Sequence, residues 1–196
     1  MGKKVSTSNK GFSLIELIIV IAIISIMAGA AMVTVAVMHS AKAKEAGSTF
    51  DIEVAQLQAN ARGKMVVVEG VDKEDYRFAI CVYRDGGKYY MKNGYYKGTG
   101  SKTDDANYDW DHSDNASGGK GTSLSSYVIV KYIDPATNVE REIGNGAEYP
   151  DQPVYIIFNR QGECVHGNGT YTFYRKSGDQ ICDVKLNRIG SRQTTY

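Results

Sequence analysis

The sequence predicts an α+β protein, with one long N-terminal helix packed on an antiparallel β-sheet domain. Three observations predict it. Leu17 to Met38 carries no charged residue; at about 1.5 Å per residue, such a run crosses a hydrocarbon core of about 30 Å. Behind it, Phe50, Val54, Leu57 and Ala61 recur at i, i+4, i+7 and i+11, the spacing of one apolar helical stripe. Farther on, β-branched and aromatic runs alternate with Gly, Asp and Asn turns, and all fourteen tyrosines lie after residue 75. That is strand composition.

Taken in order, a basic stub from Met1 to Lys10 runs into Gly11, and Phe12 opens the apolar run. The helix is expected in two halves, a membrane half over 12–38 and an amphipathic half over 39–64. Gly63 and the β-branched run Val66-Val67-Val68 end its signal. Tyr76–Tyr83 and Lys88–Met91 flank Asp85-Gly86-Gly87, a hairpin-turn composition. Residues 98–123 hold five aspartates and several glycines and read as a long surface loop. Tyr127–Ile133 turns back through Asp134-Pro135 and Thr137-Asn138 into Val139–Ile143. Val154–Phe158, Glu163–His166, Thr170–Arg175 and Gln180–Leu186 follow as short strands. Strands so closely spaced make an antiparallel sheet or sandwich rather than βαβ units. Residues 65–196 are therefore expected to form one exported β-rich domain.

Bulk charge narrows the function classes. The formal charge is +1 over 196 residues, and the stub holds Lys3, Lys4 and Lys10 with no acid. Removing those three lysines takes the chain to −2, which argues against nucleic-acid binding through net charge. The three cysteines, Cys81, Cys164 and Cys182, form no CxxC pair and have no zinc spacing. Two readings stand: a Cys164–Cys182 bridge with Cys81 left over, or three small buried apolar side chains.

The apolar run is longer than the core of a cleavable secretory signal, which spans about 7–15 residues and precedes its cleavage site. The stub lysines lie on the short N-terminal side and place the rest of the chain outside by the positive-inside rule. An ordinary single-pass anchor would share both properties. It would not need Glu16, the one carboxylate in the run, and a carboxylate in a membrane-length helix is costly enough to be functional by default.

The stretch Gly11-Phe12-Ser13-Leu14-Ile15-Glu16-Leu17 resembles the class III signal of type IV prepilins and type II secretion pseudopilins. The resemblance implies cleavage between Gly11 and Phe12, N-methylation of Phe12, and Glu16 as the fifth residue of the mature chain. It also implies the pilin fold and a single-pass membrane protein with an exported C-terminal domain, assembled into a cell-surface pilus or pseudopilus. The implied partners are other pilin subunits, prepilin peptidase, the assembly platform and membrane lipid. One departure is that no proline precedes Pro135, whereas many type IV pilins carry one in the apolar half. The C-terminal half adds a second resemblance. Val154–Gly162, Gly167–Thr172, Ile181–Val184 and Arg188-Ile189-Gly190 look like the GspH/FimT-type minor pseudopilin pattern.

Glu16 is the assembly candidate, able to neutralise the amine of a neighbouring subunit; a helix-capping pair is the plainer reading. Lys185, Arg188 and Arg192, with no acid after Asp183, are candidate DNA contacts, because some FimT-like pilins are DNA receptors; a solvated basic tail is the plainer reading. Asp109, Asp111 and Ser113 alternate as oxygen ligands do in calcium loops, with Asp114 directly after them, but the glycine and closing glutamate of such loops are missing. Asp104 and Asp105 fit that reading or a hydrated acidic loop. No cofactor is expected. His39, His112 and His166 have no matched nucleophile in a recognisable motif, so the chain is expected to be a structural subunit rather than an enzyme.

Overall fold

A computed structural model describes residues 12–110, 119–146, 148 and 151–196. The chain divides into two units at Met38/His39. Helix α1 runs over Leu14–Gly63, close to the expected 12–64. Strands then follow as β1 Val66–Val68, β2 Val71–Lys73, β3 Arg77–Asp85, β4 Lys88–Tyr96, β5 Tyr108–Asp109, β6 Thr122–Ser125 and β7 Val128–Ile133. The remainder are β8 Glu140–Glu142, β9 Val154–Phe158, β10 Cys164–His166, β11 Gly169–Arg175, β12 Gln180–Leu186 and β13 Arg192–Thr195.

The first unit contains the N-terminal part of α1. Its apolar side chains are exposed from Phe12 to Val37, and the helix is long and apolar enough to cross a membrane. Hydroxyls here turn back on the helix. Ser25 Oγ donates to the Ile21 carbonyl at 2.8 Å and Thr34 Oγ1 to that of Ala30 at 3.0 Å, so neither needs water.

The second unit packs the rest of α1 against two sheets. One sheet has the order β10-β9-β3-β4-β5, with β6 also paired to β4; the other runs β13-β12-β11-β7-β8. Every strand pairing within these two sheets and within the small β1-β2 hairpin is antiparallel. The expected stripe is the packed face: Phe50, Val54, Leu57 and Ala61 are buried together with Ala43 and Ala46. Phe50 sits 4.5 Å from the Tyr171 ring and 5.7 Å from that of Phe173. Deleting a buried phenylalanine side chain costs about 3–5 kcal/mol, so this contact alone carries much of the helix docking. Alternate residues of β3 (Phe78, Ile80, Val82) and β9 (Val154, Ile156, Phe158) face the same core.

Two turns clamp the helix from the C-terminal half. Gln58 donates to the Gly162 carbonyl at 2.7 Å and accepts from Arg192 at 2.6 Å. A Cβ at Gly190 would lie 2.1 Å from Gln58 Nε2 and 2.2 Å from the Gly162 oxygen, at a φ of +82°. Only a residue without a side chain fits there.

Several expectations are corrected. The second hairpin strand continues past Met91 to Tyr96, because β5 and β6 both pair with it. Residues 98–123 are not one solvated loop. Asp105–Asn107 form a 3-10 turn, Tyr108 is buried, and β5 and β6 join the sheet. The physical reason is that the outer face of β3 and β9 is also apolar: Ala79, Cys81, Tyr155 and Ile157 form a second core with Tyr96 and Tyr108. The Cys164–Cys182 bridge is not formed, and all three cysteines are free, buried thiols. Cys164 lies on β10 of one sheet and donates to the His166 carbonyl, whereas Cys182 lies on β12 of the other and packs on Gly47 of α1.

Candidate functional site

The first site is the start of α1. Ser13 is followed by an apolar helix and, three positions on, by Glu16. The Ser13 N–H donates to Glu16 Oε2 at 2.9 Å, and the Glu16 N–H donates to Ser13 Oγ at 3.3 Å. This reciprocal pair is a capping box, which satisfies two otherwise orphaned helix donors. The next bond, from the Leu17 N–H to the Ser13 carbonyl at 3.2 Å, starts the helical ladder. The plainer reading of Glu16 is thus present in the isolated chain. Among the described residues, Glu16 Oε1 accepts no hydrogen bond. Phe12 precedes this turn and is exposed; Gly11 and the expected leader over 1–11 lie outside the described residues.

The prokaryotic N-terminal methylation motif matches residues 6–32. The N-terminus is that of a type IV prepilin-like protein. The matched stretch spans Gly11, Phe12 and Glu16 and ends inside the apolar part of α1. No curated protein and no solved structure matches the chain. Such a motif implies in general processing by a peptidase and assembly with other pilins, and the apolar part of α1 fits a single membrane anchor preceding a β domain.

The three basic residues near the C-terminus have different surroundings. Lys185 and Arg188 are exposed. Arg192 is not available in the same way: its Nε donates to Asp51 Oδ1 at 2.9 Å, and a second guanidinium nitrogen donates to Gln58. Arg192 therefore belongs to the joint between β13 and α1. Of the calcium candidates, Asp109 is placed in β5 opposite Tyr95, while Asp111 and Asp114 lie outside the described residues. Among the described residues, no three His, Cys, Asp or Glu side chains converge on a metal-sized position.

Sequence reasoning missed a cleft of ≈ 660 Å³ on the outer face of the first sheet, lined by Tyr83, Lys92, Asp105, Asn145, Trp110 and Tyr155 among others. Asp104 also borders it, though its carboxylate caps the 3-10 turn by accepting from the Ala106 N–H. Cys81 lies in its wall. Burial, followed by the nearby Asp105 charge, pushes that thiol far above its ordinary pKa. A thiol held protonated is a poor nucleophile. The signal available in the sequence was the run YRFAICVY, in which residues of both parities are apolar or aromatic. A strand covered on one face alone would alternate with polar residues.

Proposed function

We propose that the chain is a structural subunit, in a minor role, of a type IV pilus or type II secretion pseudopilus. It is cleaved between Gly11 and Phe12, N-methylated on Phe12, and directed in assembly by Glu16. The observation that carries this reading is the placement of Glu16. Its carboxylate sits in the first turn beside Phe12, the one charged group on a largely apolar surface, with one oxygen committed to Ser13. Cleavage creates a cationic amine on Phe12, and methylation keeps that charge. Opposite charges in a low-dielectric setting attract strongly, although desolvation offsets much of the gain. The second carboxylate oxygen can take the amine of a neighbouring subunit while the helix cap persists. That contact sets axial register and favours transfer from bilayer to fibre.

The apolar side chains around Glu16 first hold the subunit in the inner membrane and then pack against those of other subunits. Ala28, Gly29, Ala30 and Ala31 allow close helix approach. The minor role is supported by the GspH/FimT-type resemblance of residues 154–190, whose Gly162 and Gly190 are the turns that grip α1. Quantitative peptide mass spectrometry of sheared filaments beside the membrane fraction tests the reading. A peptide beginning at N-methylated Phe12, present at trace level in filaments, is expected. Abundance there would make the subunit major, a processed chain confined to membranes would favour a pseudopilus, and an uncleaved N-terminus would overturn the reading.

A further inference from the structure

We propose that the cleft on the outer face of the first sheet is a saccharide-binding site, with Trp110 as its aromatic platform and Lys92, Asp105 and Asn145 as hydroxyl partners. The platform is built rather than incidental. Trp110 stacks on Tyr108 with ring centroids 4.9 Å apart and planes 6° from parallel, and Tyr108 stacks in turn on Tyr155 at 4.6 Å. Asp105 Oδ1 accepts from Trp110 Nε1 at 2.9 Å and from the Tyr155 hydroxyl at 3.3 Å. The indole lies against β4 because Gly94 has no side chain; a Cβ there would come within 2.4 Å of the ring. Stacking, a pinned N–H and a seat without a side chain together hold the ring in one orientation before any ligand arrives. Preorganisation of that kind lowers the entropy lost on binding.

The polar groups select the ligand class. Lys92 stands 5.7 Å from the indole centroid, and Asp105 and Asn145 border the same cleft. An ammonium only donates hydrogen bonds, a carboxylate only accepts them, and an amide does both. A hydroxyl satisfies all three, whereas a cation would meet Lys92 and an anion would meet Asp105. The C–H faces of a pyranose suit a large aromatic surface, and the volume falls within the range of about 300–1,000 Å³ for small-molecule sites. The three aromatic walls, Trp110, Tyr155 and Tyr83, supply most of the apolar contact. A free sugar and the end of a glycan chain offer the same chemistry.

Trp110 is the only tryptophan in the chain, so its fluorescence reports the cleft alone. The full chain in zwitterionic detergent would be titrated with cellobiose, chitobiose, maltose and mannobiose, with choline chloride as the cationic comparison. A saturable change in emission with at least one disaccharide is expected. Lys92→Ala and Asn145→Ala should each weaken it about tenfold while leaving the far-ultraviolet circular dichroism unchanged. Retention of the protein on chitin or peptidoglycan sacculi would assign a glycan chain, and binding confined to disaccharides a free sugar; either outcome supports the site. The proposal is overturned if no disaccharide changes the emission, if both variants titrate like the parent, or if choline alone produces the change.

Discussion

Arg192 donates from its Nε to Asp51 Oδ1 at 2.9 Å, joining β13 to α1 across 141 positions of sequence. The same guanidinium reaches Gln58, about two turns along the same helical face, and Gln58 in turn holds the Gly162 turn. A basic residue near the C-terminus is thereby a structural tie, and its charge is spent inside the fold.

Arg192→Ala should therefore destabilise the β domain by about 1–3 kcal/mol, because Asp51 and Gln58 lose their shared donor. Lys185→Ala and Arg188→Ala, at exposed positions, should stay within about 0.5 kcal/mol. Urea unfolding of the detergent-solubilised chain separates the two cases. Equal stability of all three variants would remove the tie from the account.

Glu16→Ala should leave cleavage after Gly11 intact yet stop incorporation into filaments. Ser13→Ala removes the capping hydroxyl, at a cost of about 0.5–2 kcal/mol to the first helical turn, but keeps the carboxylate and should still incorporate. Immunoblotting of sheared and membrane fractions reads both. Normal incorporation of the Glu16 variant would end its assembly role.

Gly190 and Gly178 make a controlled pair. Both have positive φ, +82° and +101°, but a Cβ at Gly178 meets nothing within 4 Å, while one at Gly190 runs into Gln58 and the Gly162 carbonyl. Each alanine pays the left-handed backbone cost. Gly190→Ala also forces the turn off α1 and should cost about 1–3 kcal/mol more. A thermal melt giving the same loss for both would show that the clamp is loose.

Alkali should weaken the fold before it titrates the buried groups. Burial pushes the Cys182 thiol up from 9.0 to about 11 and the Cys164 thiol from 9.0 to about 12. Above pH 9 the unfolded chain releases these protons and the folded chain keeps them, so stability falls with rising pH. The share of the loss due to these two thiols should begin near pH 9 and end near pH 12. Urea midpoints across that window check it, and native thiols should resist alkylation until the chain unfolds. Rapid labelling of the folded protein at pH 9 would contradict the burial.

Much of this protein was legible along the chain. A charge-free run, one carboxylate inside it and the Gly11-Phe12 step are local in sequence, and so is the S-x-x-E cap, because a helix is closed by bonds three and four residues apart. The stripe Phe50, Val54, Leu57 and Ala61 was equally readable, since the helical period alone puts those residues on one face. What only the tertiary structure decided depends on pairs far apart. It gave Arg192 to Asp51 rather than to solvent, and it set Cys164 and Cys182 on different sheets. It also folded residues 105–109 onto β4, building an aromatic cleft where the composition indicated a loop. Charge and loop composition state what a residue can bond to. Only the burial of a second apolar sheet face, set by strand order, states what it does bond to.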